Sequence, residues 1–172
     1  MKLRFHENEI KDIAKRYKYP WEESELIELR KEILKKGCLN KKQLQLVAKW
    51  KAPRSAGHVK KNTNEYVKDI TAFAFSTKDE RSRIEVLTVL DGVSWPTASV
   101  LLHLFHKEPY PILDFRALWS ASLDVPKQYT FSFWQPYVLF CREISKRNKV
   151  SMRVLDRAMW QYSKENQRVS SR

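Results

Sequence analysis

The 172-residue sequence predicts an all-α protein with a helix–hairpin–helix at its centre. Three observations carry that prediction. Apolar residues recur with the 3.6-residue helical period through most of the chain. Only three glycines occur, where ordinary usage of about 7% gives about 12. No stretch shows the apolar–polar alternation of a half-buried strand, and Asn-Gly or Asp-Gly turns are few. A chain of this length makes one domain, or two small lobes sharing a core. The expectation is a single compact helical domain over 1–172, with a core at about 77–122 and the N- and C-terminal helices packing as a second lobe.

Residues 7–18 and 22–36 read as the first two helices, the second starting after Pro20 and ending at Gly37. Leu26, Leu29 and Ile33 form its apolar stripe. A third helix is predicted over 41–50, followed by the loop "KAPRSAG". Residues 64–75 come next, with Tyr66, Ile70 and Phe73 sharing one face. Thr77 and Glu80 read as a capping box opening a helix over 78–89. Pro96, at a first-turn position where its missing N–H costs nothing, starts the helix that runs to Phe105. Ala98, Leu101, Leu102 and Phe105 give that helix an i, i+3, i+4, i+7 stripe. Helices follow over 115–122 and 130–147, with Pro136 inside the first turns of the second. The last helix, 152–166, takes Ser151 as its cap and a Val150–Leu155 staple, and the closing "NQRVSSR" reads as a frayed tail.

Charge narrows the partner. Thirty-three Lys and Arg against 20 Asp and Glu give a formal net charge of +13. A field of that sign attracts polyanions, so nucleic acid or an acidic surface is the expected partner. A general solubility charge, or a ribosome-associated habit, is the alternative. Lys35, Lys36, Lys41, Lys42, Lys49, Lys51, Arg54, Lys60 and Lys61 cluster, with Trp50 and His58 among them. A second group is Arg142, Lys146, Arg147, Lys149 and Arg153. Basic stretches interleaved with aromatics suit phosphate contact combined with base stacking.

Other classes fall away. Hydrophobic residues at 42% and charged residues at 31% fit a globular chain, not a disordered one. No apolar run reaches the roughly 18 residues of a membrane span, and the N-terminus "MKLRFHENEIKDIAKRYK" lacks the apolar core of a signal peptide. A cytoplasmic protein is expected, with Cys38 and Cys141 as buried, reduced thiols. Two cysteines do not supply the four thiolates of an iron–sulfur cluster. His103 and His106 stand at i, i+3 on one helix, but no third metal ligand accompanies them, so no metal site is expected.

The segment "LTVLDGVSWPTASVLL", residues 87–102, reads as a tight helix–hairpin–helix. Gly92 permits a positive φ, and its missing side chain lets the backbone approach a ligand. The hairpin runs straight into a helix N-terminus, where free N–H groups and the dipole favour an anion. Backbone amides around Gly92, Val93, Ser94 and Trp95 are thus candidates to hold one DNA phosphate without reading sequence. An ordinary αα-hairpin with a glycine is the plainer reading. Downstream, "PYPILDFRALW" places Asp114 at the start of a helical run, after two stiffening prolines. Aspartate is a favoured N-cap. The dipole and amides at that position also keep a carboxylate ionised, so cap and catalyst are compatible roles.

The segment "LDGVSWPTASVLLHLFHKEPYPILDFRAL", within residues 87–118, resembles the core of the helix–hairpin–helix DNA glycosylase superfamily, often called HhH-GPD. The likeness lies in a glycine hairpin, a Thr-Ala pair, an apolar helix and a proline-containing loop ending in an aspartate. Pro96 falls where bifunctional members keep a lysine, and 18 residues separate it from Asp114, as in the family pattern. "PYPILDFRA" is similar in particular to the adenine-glycosylase branch around its aspartate. The chain departs from the pattern at three places: Ser94 replaces the hairpin's second glycine, Pro96 replaces the lysine, and the cluster-binding cysteines of many relatives are missing.

The resemblance implies a monofunctional DNA glycosylase with Asp114 as catalyst and Gly92, Val93, Ser94 and Trp95 as the phosphate-binding hairpin. It implies no Schiff-base lysine, no iron–sulfur cluster and no resident cofactor beyond a monovalent cation on hairpin carbonyls. The expected partner is double-stranded DNA, bound by a monomer that joins the nucleoid when engaged. A base inside a duplex must be flipped out for such chemistry. Trp21, Trp50, Tyr66, Trp95 and Trp119 are candidate stacking partners, with core packing the alternative for each. Trp50, Lys51, Arg54, His58, Lys60 and Lys61 are candidates for backbone or pocket contacts. Three rival readings stay open: a non-catalytic helix–hairpin–helix DNA-binding protein, an RNA-binding helical protein, and a bifunctional lyase using a lysine such as Lys107. The substrate base is undeclared. A short chain without an extra recognition domain favours a base marked by its own chemistry, from a repair lesion to a modified base of phage DNA.

Overall fold

The computed structural model describes residues 1–18, 24–54 and 56–168. Among them every regular element is helical, and no strand occurs. The α-helices are α1 (Ile10–Lys15), α2 (Ser24–Lys36), α3 (Lys41–Lys51), α4 (Asn64–Ser76) and α5 (Glu80–Leu87). They continue as α6 (Trp95–Phe105), α7 (Phe115–Ser120), α8 (Phe131–Arg147) and α9 (Met152–Asn166). Short 3-10 turns cover Glu7–Glu9 and His58–Lys61. The chain divides into two compact units, Pro20–Pro109 and the pair of segments Met1–Tyr19 and Tyr110–Arg172. The segment 77–122 is thus split between the units after Pro109.

In the Pro20–Pro109 unit, α6 is central, packed against α2, α3 and α5. Its residues from Thr97 to Leu102, with Leu104 and Phe105, are all buried, which is why its sequence carries no polar face. Each fully buried Leu or Phe contributes about 1.5–3 kcal/mol of transfer free energy. The Arg30 guanidinium closes the C-terminal end of α6 by donating to the carbonyls of Leu104 and His106. Helix α3 opens with a reciprocal box: Asn40 Oδ1 accepts the Gln43 N–H, and Gln43 Oε1 accepts the Asn40 N–H, both at 2.9 Å.

Two readings of this unit are corrected. The capping residue of α5 is Asp79, whose carboxylate accepts the Ser82 N–H at 2.7 Å. Thr77 instead ends α4, so the expected Thr77–Glu80 box does not form. Helix α4 also buries a different face. Tyr66 and Phe73 are 41% and 49% exposed, while Val67, Thr71 and Ala74 are buried. The physical reason is a tertiary bond: Thr71 Oγ1 donates to Val67 O at 2.7 Å and accepts the Leu39 N–H at 2.9 Å.

In the other unit α9 is central, with α1, α7 and α8 against it. Leu155, Ala158 and Met159 of α9 are fully buried, as are Leu118, Trp134, Tyr137, Cys141 and Ile144. Ser151 caps α9 as its sequence indicates, accepting the Val154 N–H at 3.2 Å. Helix α1 is shorter than the expected 7–18: bonds from Arg16 and Tyr17 to Ile13 and Ala14 tighten its end. Helix α7 stops at Ser120 because Ser122 turns left-handed, at φ +57°, and the Leu123 N–H returns to Leu118 O at 2.9 Å.

Candidate functional site

The approach to Asp114 is held on both sides by tertiary contacts. Tyr110 is fully buried and stacks on Trp134, centroids 5.6 Å apart at 11°, with the Arg142 guanidinium over its ring at 4.6 Å. Two residues on, the Ile112 peptide is clamped at both ends. Its N–H donates to Asp156 Oδ1 at 3.4 Å, and its carbonyl accepts the Tyr137 hydroxyl at 3.2 Å. Asp156 is itself buried, its Oδ2 paired with Arg153 at 2.8 Å. Pro111, Ile112 and Leu113 are buried, so the loop has no slack before the helix begins.

Asp114 emerges half-buried as the N-cap of α7. Its backbone is extended, at φ −140° and ψ 139°, and Oδ1 accepts the Arg116 N–H at 3.0 Å. The cap reading is therefore correct. Two phenols belong to its surroundings. Burial, and after it the Asp114 charge, pushes the Tyr129 hydroxyl up. Burial, followed by Cys141, pushes Tyr137 well up. Both stay protonated at neutral pH and so can donate but carry no competing charge.

The hairpin lies in the other unit. Val93 N–H turns back to Leu90 O at 3.0 Å, and Ser94 becomes the N-cap of α6 without a side-chain cap bond. Gly92 sits at φ +77°. A Cβ there would stand 2.8 Å from the Val59 nitrogen and 2.9 Å from Val59 Cγ2, so the hairpin packs directly on the 58–61 turn. Asn62 locks the two together: Nδ2 donates to Val59 O and Asp91 O, and Oδ1 accepts the Asp91 N–H, all at 3.0 Å. Of the hairpin residues Val93 is buried, Trp95 half-buried and Ser94 exposed. The carbonyls of Leu90 and Asp91 each accept one bond within the unit.

The remaining candidates divide by burial. Arg54, His58, Lys60 and Lys61 are exposed and Lys51 is half-buried. His58 is brought to the hairpin, its Cβ 3.1 Å from where a Gly92 side chain would start. Trp50 is 8% exposed and belongs to the core. Trp119 is half-buried, with the Arg4 guanidinium 4.6 Å from its ring centre and Tyr162 stacked on it at 6.1 Å. Of the described stacking candidates only Trp50 lies in the core, Tyr66 is exposed, and Trp21 lies outside the described residues. His106 is buried and its Nδ1 accepts the Glu108 N–H at 2.9 Å. No group of three metal-ligating residues occurs among the described residues. Cys141 is fully buried, as expected, whereas Cys38 is only half-buried.

Sequence reasoning missed Asn62, Tyr129, Tyr137 and Asp156. A polar residue inside an otherwise apolar helical stripe was the one available signal, at Tyr137 in α8 and Asp156 in α9. Comparison of the chain with known protein families, with curated proteins and with solved structures returns no match.

Proposed function

We propose that the protein is a monofunctional DNA glycosylase, with Asp114 as the catalytic carboxylate. The observation that carries this reading is the clamped Ile112 peptide, which delivers Asp114 to one place at the head of α7. Cleaving an N-glycosidic bond gives the sugar oxocarbenium character as the base departs. An ionised carboxylate beside C1′ stabilises that cation, or takes a proton from the attacking water. Water then adds at C1′, the base leaves with a proton, and an abasic site remains. With Pro96 at the position of the lyase lysine, no Schiff base forms there.

The nucleotide is flipped from the duplex before reaction. The amides of Gly92 to Trp95 hold a phosphate, and exposed Arg54, His58, Lys60 and Lys61 add a sequence-independent footprint. The reading makes the protein a cytoplasmic, monomeric DNA-binding enzyme of repair, or of defence against phage DNA with modified bases.

A second reading has an observation of its own. The Val59 contact accounts for Gly92, and capping accounts for Asp114, without a reaction. A non-catalytic helix–hairpin–helix DNA-binding protein would need no more. Incubating wild type and Asp114→Asn with duplexes bearing single lesions, and with genomic DNA from bacteria and from phages with modified bases, separates the two. Mass spectrometry of released base is the readout. Base freed by wild type alone supports the glycosylase and names its substrate. Tight binding without release from any DNA favours the non-catalytic protein.

A further inference from the structure

On the unit formed by Met1–Tyr19 and Tyr110–Arg172, four cations line one surface pocket of about 430 Å³: Lys11, Lys15, Lys149 and Arg157. The rest of its lining is small or apolar, from Ala14, Val150, Ser151 and Val154. No carboxylate is among these residues. The cations come from three places: Lys11 and Lys15 one turn apart on α1, Lys149 from the α8–α9 turn, and Arg157 from α9. Like charges gathered in this way repel one another unless an anion joins them. Lys15 has Asp12 as a partner at 2.9 Å, and the Arg157 guanidinium stands over the Tyr17 ring at 5.3 Å. Lys11 and Lys149 form no ion pair among the described residues.

The backbone at Lys149 gives a second, independent observation. Helix α8 closes with the Val150 N–H on Ser145 O at 3.1 Å and the Lys149 N–H on Lys146 O at 3.2 Å. That pattern puts residue 149 in the left-handed region, at φ +51°. Glycine is the usual occupant of this position, because a Cβ there meets the following carbonyl. A lysine therefore stands where glycine would close the helix with less strain, and that lysine lines the pocket.

We propose that this pocket binds consecutive phosphates, supplied either by the backbone of a DNA strand or by a free polyphosphate. Lys11 and Lys149, the two cations of the pocket without an ion pair among the described residues, match two adjoining anionic groups better than one monoanion. Lysine ammoniums act as point charges toward phosphate, without the paired geometry that carboxylate recognition draws from arginine. The volume lies in the ligand-sized range of about 300–1,000 Å³, and the aliphatic lining suits sugar carbons next to phosphates.

Calorimetric titration at low salt tests this with two probes, inorganic tripolyphosphate and a short undamaged duplex. The pocket variant is Lys11→Gln with Lys149→Gly, and the control is Lys31→Gln with Lys78→Gln, which removes the same charge at exposed sites elsewhere. The pocket variant is expected to weaken one probe roughly tenfold or more, while the control changes little. Loss on the duplex, with a salt slope reduced by about 0.9 per lost contact, identifies the strand as the source. Loss on tripolyphosphate alone identifies a free polyphosphate. Lys149→Gly by itself should melt above wild type while binding less tightly, an opposition that a merely structural lysine would not produce. The proposal is overturned if neither probe binds wild type, or if pocket and control variants weaken binding alike. Neither titration involves base release, so this test and the Asp114 test fail separately.

Discussion

The side-chain amide of Asn62 grips the backbone of Asp91 in both directions, with Nδ2 donating to Asp91 O and Oδ1 accepting the Asp91 N–H, each at 3.0 Å. A third bond, from Nδ2 to Val59 O, ties the same amide to the 58–61 turn. Asn62 is 3% exposed, so water does not replace these bonds when they are removed. Asn62→Ala should lower stability by about 2–3 kcal/mol in urea unfolding. Asn62→Asp should be worse at neutral pH, because a carboxylate donates to neither carbonyl. An alanine variant within about 0.5 kcal/mol of wild type would contradict the clamp.

The three glycines separate backbone strain from crowding. Gly92→Ala meets both, a left-handed φ and the Val59 nitrogen at 2.8 Å, and should cost about 2–4 kcal/mol. Gly37→Ala meets only the positive φ, with open space around it, and should cost about 1–2 kcal/mol. Gly57→Ala meets neither and should be neutral or slightly stabilising. Thermal melts of the three variants give the ranking directly.

His106 makes stability depend on acid. Burial, and after it the Arg83 charge, lowers its pKa from 6.5 to about 4. Above pH 6.5 the ring is neutral in folded and unfolded chains alike, and its contribution is constant. Between pH 6.5 and 4 the unfolded chain takes a proton that the folded one refuses, so stability falls, by on the order of 3 kcal/mol in full. Urea unfolding across that window should show the slope in wild type and a shallower one in His106→Gln. Equal slopes would remove His106 as the cause.

Different substitutions divide the capping role of Asp114 from its proposed catalytic one. Asp114→Asn keeps an oxygen for the Arg116 N–H and should change the melting temperature little, whereas Asp114→Ala loses the cap and about 0.5–2 kcal/mol. Base release should vanish in both if the carboxylate is the catalyst. Tyr137→Phe loses the hydroxyl that bonds Ile112 O and also meets the Cys141 thiol, and should cost about 1–2 kcal/mol. In the glycosylase reading Tyr137 is a positioning residue. Its loss should lower single-turnover base release and leave DNA affinity in place.

The legible parts of the molecule were those whose causes are local. Helix α9 matches its expected 152–166 span, Ser151 caps it and Asp114 caps α7, since periodicity and a capping oxygen act within one turn. Helix α4 shows the limit. Its period was plain, yet Tyr66, Ile70 and Phe73 were a poor guide to its buried side, because Leu39, 32 residues away, holds Thr71 inward. Trp50 shows it again: an aromatic that stacks on a base and one that fills a core look alike in sequence.

The sequence by itself determined that this chain is helical, strongly cationic, and built with a glycine hairpin and an aspartate at the head of a helix. Those properties follow from composition and from residues within a few positions of each other. Only the tertiary structure decided why Gly92 must lack a side chain, what holds Asn62 to Asp91, and how Tyr137 and Asp156 fix the path into Asp114. Each of these joins residues 25 to 44 positions apart in sequence, or in the case of Gly92 and Val59 brings two turns into van der Waals contact. Such pairings arise from how helices pack, and no local pattern of residues encodes them.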